Sequence, residues 1–185
     1  MLPIAPLMIE HRLIEKMIGM IQKEIDRAEL QKRIDPEFID LAVDFIRMYA
    51  DRCHHGKEED ILFRDLGQKP LSAEHKRIVE ELVEEHRQGR KTVAGLVEAK
   101  GWYLKGDPEA LPLMLNLMKF LVAFYPRHIE KEDKHFFLPI MNYFSPEEKE
   151  AMLKEESEFD KNLIHQIYRE RIGQAELILG KEEQK

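Results

Sequence analysis

Cysteine occurs once in 185 residues, at Cys53, so no disulfide can close within the chain and a disulfide-stapled secreted scaffold is excluded. No basic, apolar, small-residue leader pattern opens the sequence, and a reducing, cytoplasmic setting is expected. Apolar runs are only a few residues long, far short of the roughly 20 that cross a bilayer, so no membrane partnership is expected. Basic residues are outnumbered, 29 Lys and Arg against 36 Asp and Glu, for a formal net charge of −7. Without a basic stripe, counterion release has no source and nucleic acid is not an expected partner. Glycine and proline number nine each in a chain that is 35% charged, and Glu, Lys and Arg are interleaved with Leu, Ile and Met. That is helix-rich usage, and the expected fold is all-α. With 43% hydrophobic residues the chain can bury one sizeable core.

The prolines that are present sit at helix starts. Asp35-Pro36-Glu37, Asp107-Pro108-Glu109 and Ser145-Pro146-Glu147 each combine a capping side chain, a residue needing no N–H, and an acid at the positive helix end. Gly67 and Pro70 end another helix, and Ser72 caps the next. Five helices follow, roughly 5–30, 36–66, 73–105, 108–142 and 146–179. Short connections make the first four an antiparallel, up-down four-helix bundle over residues 1–143. Residues 144–185 form a fifth, highly charged helix that packs on the bundle or a partner.

The bundle is expected to be two copies of one helical hairpin. In the second helix the seam reads Phe38, Leu41, Phe45, Met48, Arg52, His55, Glu59, Leu62, Leu66. Shifted by 73 residues, the fourth reads Leu111, Met114, Met118, Leu121, Tyr125, His128, Glu132, His135, Pro139. The first gives Ile4, Leu7, His11, Ile14, Ile18, Ile21, Ile25. The third, shifted by 75, gives Val79, Leu82, His86, Gly89, Val93, Leu96, Lys100. His11 and His86 match, each inside a Glu-His-Arg triplet, and the halves are related by an approximate twofold axis.

These polar groups lie on a stripe that should be buried, where unpaired charge costs several kcal/mol. His55/Glu59 and His128/Glu132 have four-residue spacing, which puts imidazole and carboxylate about 6 Å apart on one helix face, within reach of one metal centre. The competing reading is a polar layer of four histidines and two glutamates bonded only to one another. Such a layer is costly without a cation, so His11, His55, Glu59, His86, His128 and Glu132 are the candidate metal ligands. Imidazoles with bridging carboxylates favour two iron ions over manganese or zinc. No His-Glu-x-x-His motif is present to indicate a zinc protease. Only Glu132-x-x-His135 has the form a ferritin-like site requires.

The repeated motifs, Ile9-Glu10-His11, His54-His55-Gly56-Lys57-Glu58-Glu59, Glu85-His86-Arg87-Gln88-Gly89-Arg90 and His128-Ile129-Glu130-Lys131-Glu132-Asp133, resemble the hemerythrin-like, or HHE cation-binding, family. The resemblance covers about residues 7–143. It implies a non-haem di-iron centre with an oxo or hydroxo bridge. His11 and His55 would serve one iron, His86 and His128 the other, and Glu59 and Glu132 would bridge. Oxygen-carrying members place an extra histidine one turn after the third ligand, where this chain has Arg90. The resemblance therefore implies open positions on both irons. Reactivity towards peroxide, NO or O2, sensing, or iron handling is expected rather than reversible oxygen carriage.

A binding or sensing module is the leading expectation. The alternatives are an oxidoreductase that reduces peroxide or NO, and a structural helical module with incidental metal. The fifth helix would contact a second copy or a redox partner. Tyr125, one turn before His128, is a candidate hydrogen-bond donor to a small ligand, and Arg52 holds the matching place before His55. His135 is a weaker ligand candidate. His54 and Glu58, about 100° from the seam, are expected on a solvated face, as are His75 and His165. Cys53, Met114 and Met118 are expected as packing, and the Glu/Lys run 147–158 as a solvated face.

Overall fold

The structure is a computed structural model. It describes the backbone of residues 1–182 and the side chains through Leu163, together with Ile167; the expectation for His165 falls outside the described residues. Five helical runs make the architecture, and no strand occurs among the described residues. Helix α1 is Ile4–Gln31 and ends where Lys32 turns left-handed (φ 56°). Helix α2 runs continuously over residues 36–66, α3 is Ala73–Leu104, α4 spans residues 110–140 and passes into a 3₁₀ turn at Met141–Tyr143, and α5 is Pro146–Glu182. No helix among the described residues is long and apolar enough to cross a membrane.

The expected caps are in place. Asp35 accepts hydrogen bonds from the N–H groups of Glu37 (2.9 Å) and Phe38 (3.4 Å). The Ser72 hydroxyl accepts from His75 N–H at 3.1 Å, and that of Ser145 from Glu148 N–H at 3.2 Å. Asp107 accepts from Glu109 N–H at 2.9 Å, but as part of a turn, and α4 starts two residues later than its proline suggests.

Contacts run α1 to α2, α2 to α3, α3 to α4 and α4 to α1, so the first four helices close into a bundle, and α5 lies against α2. Two apolar clusters fill the bundle. One holds Ile14, Ile18, Ile21, Ile39, Ile46, Ala50, Val93, Leu96, Met118 and Tyr125. The other holds Ile4, Leu7, Ile61, Leu62, Leu82, Phe136, Phe137 and Ile140, with Met152 of α5. Between them, one turn of every bundle helix supplies polar side chains: His11 after Leu7, His54 to Glu58 after Ala50, His86 after Leu82, and His128 to Glu132 after Tyr125.

The backbone departs from α geometry at this level. In α2, Ile46–His55 and Glu58–Phe63 are π-helical, and in α4 so is Lys131–Phe136; the Gly56 N–H donates to the Asp51 carbonyl five residues back. A π turn holds more residues than an α turn, so it rotates everything after it relative to a 3.6-residue template. The α1 seam is as expected, and so is that of α3 from Leu82 to Leu96; at the ends of α3, Ile78 and Ala99 are buried where Val79 and Lys100 were expected. In α2 the buried face is instead Ile39, Ala42, Val43, Ile46, Ala50, His54 and Glu58, while Leu41 is 58% exposed. In α4 the seam holds through Glu132 and then moves to Phe136, Phe137 and Ile140; His135 is exposed.

Candidate metal centre

Two clusters of metal-capable groups form in this belt, His11, His54, Glu58 and Glu132 on one side and His55, Glu58, His86 and His128 on the other. All seven residues are buried. The structure therefore brings together His11, His55, His86, His128 and Glu132 of the six expected ligands, and does not include Glu59. Glu58 takes the inward place, and His54, expected on a solvated face, is 1% exposed. The register is already set ahead of the π-helical turns, where Ile39, Ala42 and Val43 are buried, and it carries His54 and Glu58 inward; on an α-helix adjacent residues diverge by about 100°, and the widened turn lets His55 face the bundle axis beside His54.

Each glutamate spans the two clusters. One Glu132 oxygen lies 3.2 Å from His11 Nε2 and the other 3.3 Å from His128 Nε2. Glu58 does the same, 3.5 Å from His54 Nε2 and 3.4 Å from His86 Nε2. None of these four nitrogens or four oxygens has a hydrogen-bond partner. Buried donor and acceptor atoms left this way cost about 1–3 kcal/mol each, more when charged.

The other ring nitrogen of every histidine is tied to a carboxylate: His11 Nδ1 to Asp133 (2.8 Å), His54 to Glu10 (2.9 Å), His86 to Glu59 (2.7 Å), His128 to Glu85 (2.8 Å) and His55 to Asp51 (3.3 Å). An ionised carboxylate only accepts, so Nδ1 carries the proton and the Nε2 lone pair points inward, as in histidines that ligate metals. Cations back the carboxylates. Lys57 pairs with Glu10 and Lys131 with Glu85, while Arg12 pairs with Asp133 and Arg90 with Glu59. Glu59 is thus the counterpart of Asp133, behind the histidine rather than in front of it.

Without a cation the site stores charge awkwardly. Burial opposes protonation of His11, but Asp133 and Glu132 override it and push its pKa up to about 10. His86 is raised to about 9 in the same way, by Glu58 and Glu59 against burial. His55 is driven well below its usual value by burial and then by the neighbouring histidines and Arg90. Glu58 is held low despite burial by the charges of His54 and His86.

The remaining candidates lie around the centre. Tyr125 is 2% exposed and, with His55, lines a cavity of about 90 Å³. Arg90 stands at the same cavity and bonds both Asp51 (2.8 Å) and Glu59 (2.6 Å). Arg52 lines the groove between α2 and α5. His75 is at the start of α3, bonded to the Tyr143 hydroxyl at 2.9 Å. The Cys53 thiol donates to Asp160 at 3.3 Å, and burial first of all pushes its pKa up to about 12, which favours packing over redox chemistry.

A four-helix bundle whose polar belt presents inward-facing imidazoles and two spanning carboxylates is the architecture of a cation-binding helical domain. The sequence model of the family described as Hemerythrin HHE cation binding domain matches residues 2–138, and the chain belongs to that family. Neither the curated proteins nor the solved structures compared with it give a match.

Proposed function

We propose that the chain holds two iron ions, side by side, between Glu58 and Glu132, and that it uses them to bind or sense a small molecule such as O2, NO or peroxide. His11 and His54 would hold one ion, His86, His128 and His55 the other, and each glutamate would give one oxygen to each. The observation that supports this most directly is the convergence of four Nε2 atoms and four carboxylate oxygens, all buried and all without partners. Imidazole with bridging carboxylate is a borderline-to-hard donor set that suits iron. The irons would supply redox-active Lewis acidity to a bound small molecule. The protein would supply fixed imidazoles, through the five Nδ1 anchors, and a cavity at Tyr125 and His55 too small for an organic substrate.

The third histidine of the second ion is the main revision to the sequence expectation. Arg90 leaves its helix without that ligand, and His55 of α2 takes the role from the neighbouring helix. The test is metal analysis of protein purified at low oxygen, followed by anaerobic ultraviolet–visible titration with O2, peroxide and NO. About two irons per chain and a ligand-dependent spectrum are expected. Less than about one equivalent of any transition metal would overturn the proposal, and turnover with an electron donor would move it from binding to oxidoreduction.

A further inference from the structure

The two halves of the centre are equivalent until His55 is counted. His11 and His86 correspond, as do His54 and His128, Glu58 and Glu132, Glu59 and Asp133, Glu10 and Glu85, and Lys57 and Lys131. Each half then offers two Nε2 atoms and one oxygen from each glutamate. His55 has no counterpart: the residue at its place in α4 is Ile129, which belongs to the apolar core.

His55, whose ring stacks on His86 at 3.9 Å between centroids, also has the longest hydrogen-bond anchor of the five imidazoles. Its Nδ1 lies 3.3 Å from Asp51, against 2.7–2.9 Å for the other four anchors. Asp51 in turn shares its cation, Arg90, with Glu59. The ring lines the cavity of about 90 Å³ bounded by Ile46, Asp51, Gly89, Arg90 and Tyr125, room for about three waters. Phenylalanines stack on histidines in both halves, Phe137 on His11 and Phe124 on His128, but the cavity adjoins His55, whereas on the other half the fully buried Lys57 pairs with Glu10, which anchors His54.

We propose that His55 is an exchangeable ligand, which completes the second metal position at rest and withdraws towards the Ile46–Tyr125 cavity when a small electron-pair donor of two or three heavy atoms takes its place. This rests on the dinuclear reading above. The exchange breaks one bond from an imidazole nitrogen and forms one from the incoming molecule, with no change in electron count. Tyr125 lines the same cavity, and its hydroxyl would donate to the newcomer. Two donors of different charge fit this chemistry, a neutral diatomic and a small anion, and azide probes the anion directly.

The experiment uses the full chain loaded with iron and oxidised, with iron content measured alongside azide association by stopped-flow absorbance. His55→Ala is expected to keep two irons and to bind azide at least about tenfold faster, because the competent state no longer waits on ring departure. Asp51→Asn, which weakens the anchor while leaving the ligand, is expected to give a smaller acceleration, and His54→Ala to lose iron. A His55→Ala chain with one iron or fewer would make His55 an essential ligand and overturn the proposal. Unchanged azide rates in both His55→Ala and Asp51→Asn would overturn it too, and Asp51→Asn decides alone if His55→Ala does not fold. A native chain that takes up less than one iron defeats the dinuclear reading itself, an outcome distinguished by metal content before any azide is added.

Discussion

Glu156 of α5 gives a stability prediction whose size follows from its surroundings. Its side chain is 2% exposed and neither carboxylate oxygen has a hydrogen-bond partner. Burial first of all raises its pKa from 4.5 to about 8; Lys57 opposes this, while Glu10, Asp160 and Glu155 add to it. Between those two values the folded chain keeps a proton that the unfolded chain has released. The contribution of this group to stability is therefore greatest below about pH 4.5 and falls by roughly 1.4 kcal/mol per pH unit until about pH 8. The accumulated loss is on the order of 5 kcal/mol, a large share of the 5–15 kcal/mol typical of a domain. Glu156→Gln cannot ionise. Urea unfolding of metal-free native and Glu156→Gln protein, at several pH values from about 5 to 9, should show the native curve falling away from the variant's through pH 8 and running parallel above it. Titration of His11 and His86 occurs in both chains and cancels in the difference. Parallel curves across the whole range would refute the argument, whatever the offset between them.

Two further substitutions separate neighbouring residues. Glu58→Gln should abolish stable binding of both irons, since it removes the charge shared by the two clusters, whereas Glu59→Gln should retain both with affinity lowered about 10–100-fold, as for loss of a carboxylate behind a ligating histidine; metal analysis after dialysis against a weak chelator tells them apart, and the reverse pattern would restore the sequence expectation for Glu59. A Cβ at Gly56 would lie 2.8 Å from Phe159 Cζ and 3.4 Å from its Cε1, so Gly56→Ala should lift α5 and lower stability by about 1–3 kcal/mol, as overpacking does. That penalty should vanish in a Phe159→Ala background, measured as a double-mutant cycle by thermal unfolding; an equal penalty in both backgrounds would place the strain elsewhere.

The helices were readable in the sequence because their signals are local. A capping side chain, a proline in the first turn and an acid at the N-terminus act within four residues, and Asp35, Ser72 and Ser145 cap where those signals stand. The α1 and α3 seams were equally readable, because Ile4 to Ile25 and Leu82 to Leu96 follow a 3.6-residue period over their whole length. The path of α5 was not. Its contact with α2 depends on the small residue Gly56 meeting Phe159, and on Lys57 reaching both Glu10 and Asp160. Those are long-range pairings that no window of sequence reveals.

The choice between His54/Glu58 and His55/Glu59 turns on a more specific feature. Both pairs have four-residue spacing, and a repeat offset of 73 aligns the second with His128 and Glu132 as well as an offset of 74 aligns the first. What separates the offsets lies downstream. At 74, Leu62, Phe63 and Leu66 fall on Phe136, Phe137 and Ile140, six buried apolar residues, while at 73 Leu62 falls on His135 and Leu66 on Pro139. The same offset pairs Lys57 with Lys131 and Glu59 with Asp133, so the carboxylates and cations behind the histidines repeat along with the ligands. The correct register was thus legible from the apolar residues, although the histidines alone could not fix it. His55 has a separate origin in the backbone. It lies at the centre because the π-helical turns of α2 bring two adjacent residues to one face, which a fixed α period forbids. Its lack of a counterpart in α4, a defect under the 74-residue repeat, is the feature that makes the two clusters of metal-capable groups unequal.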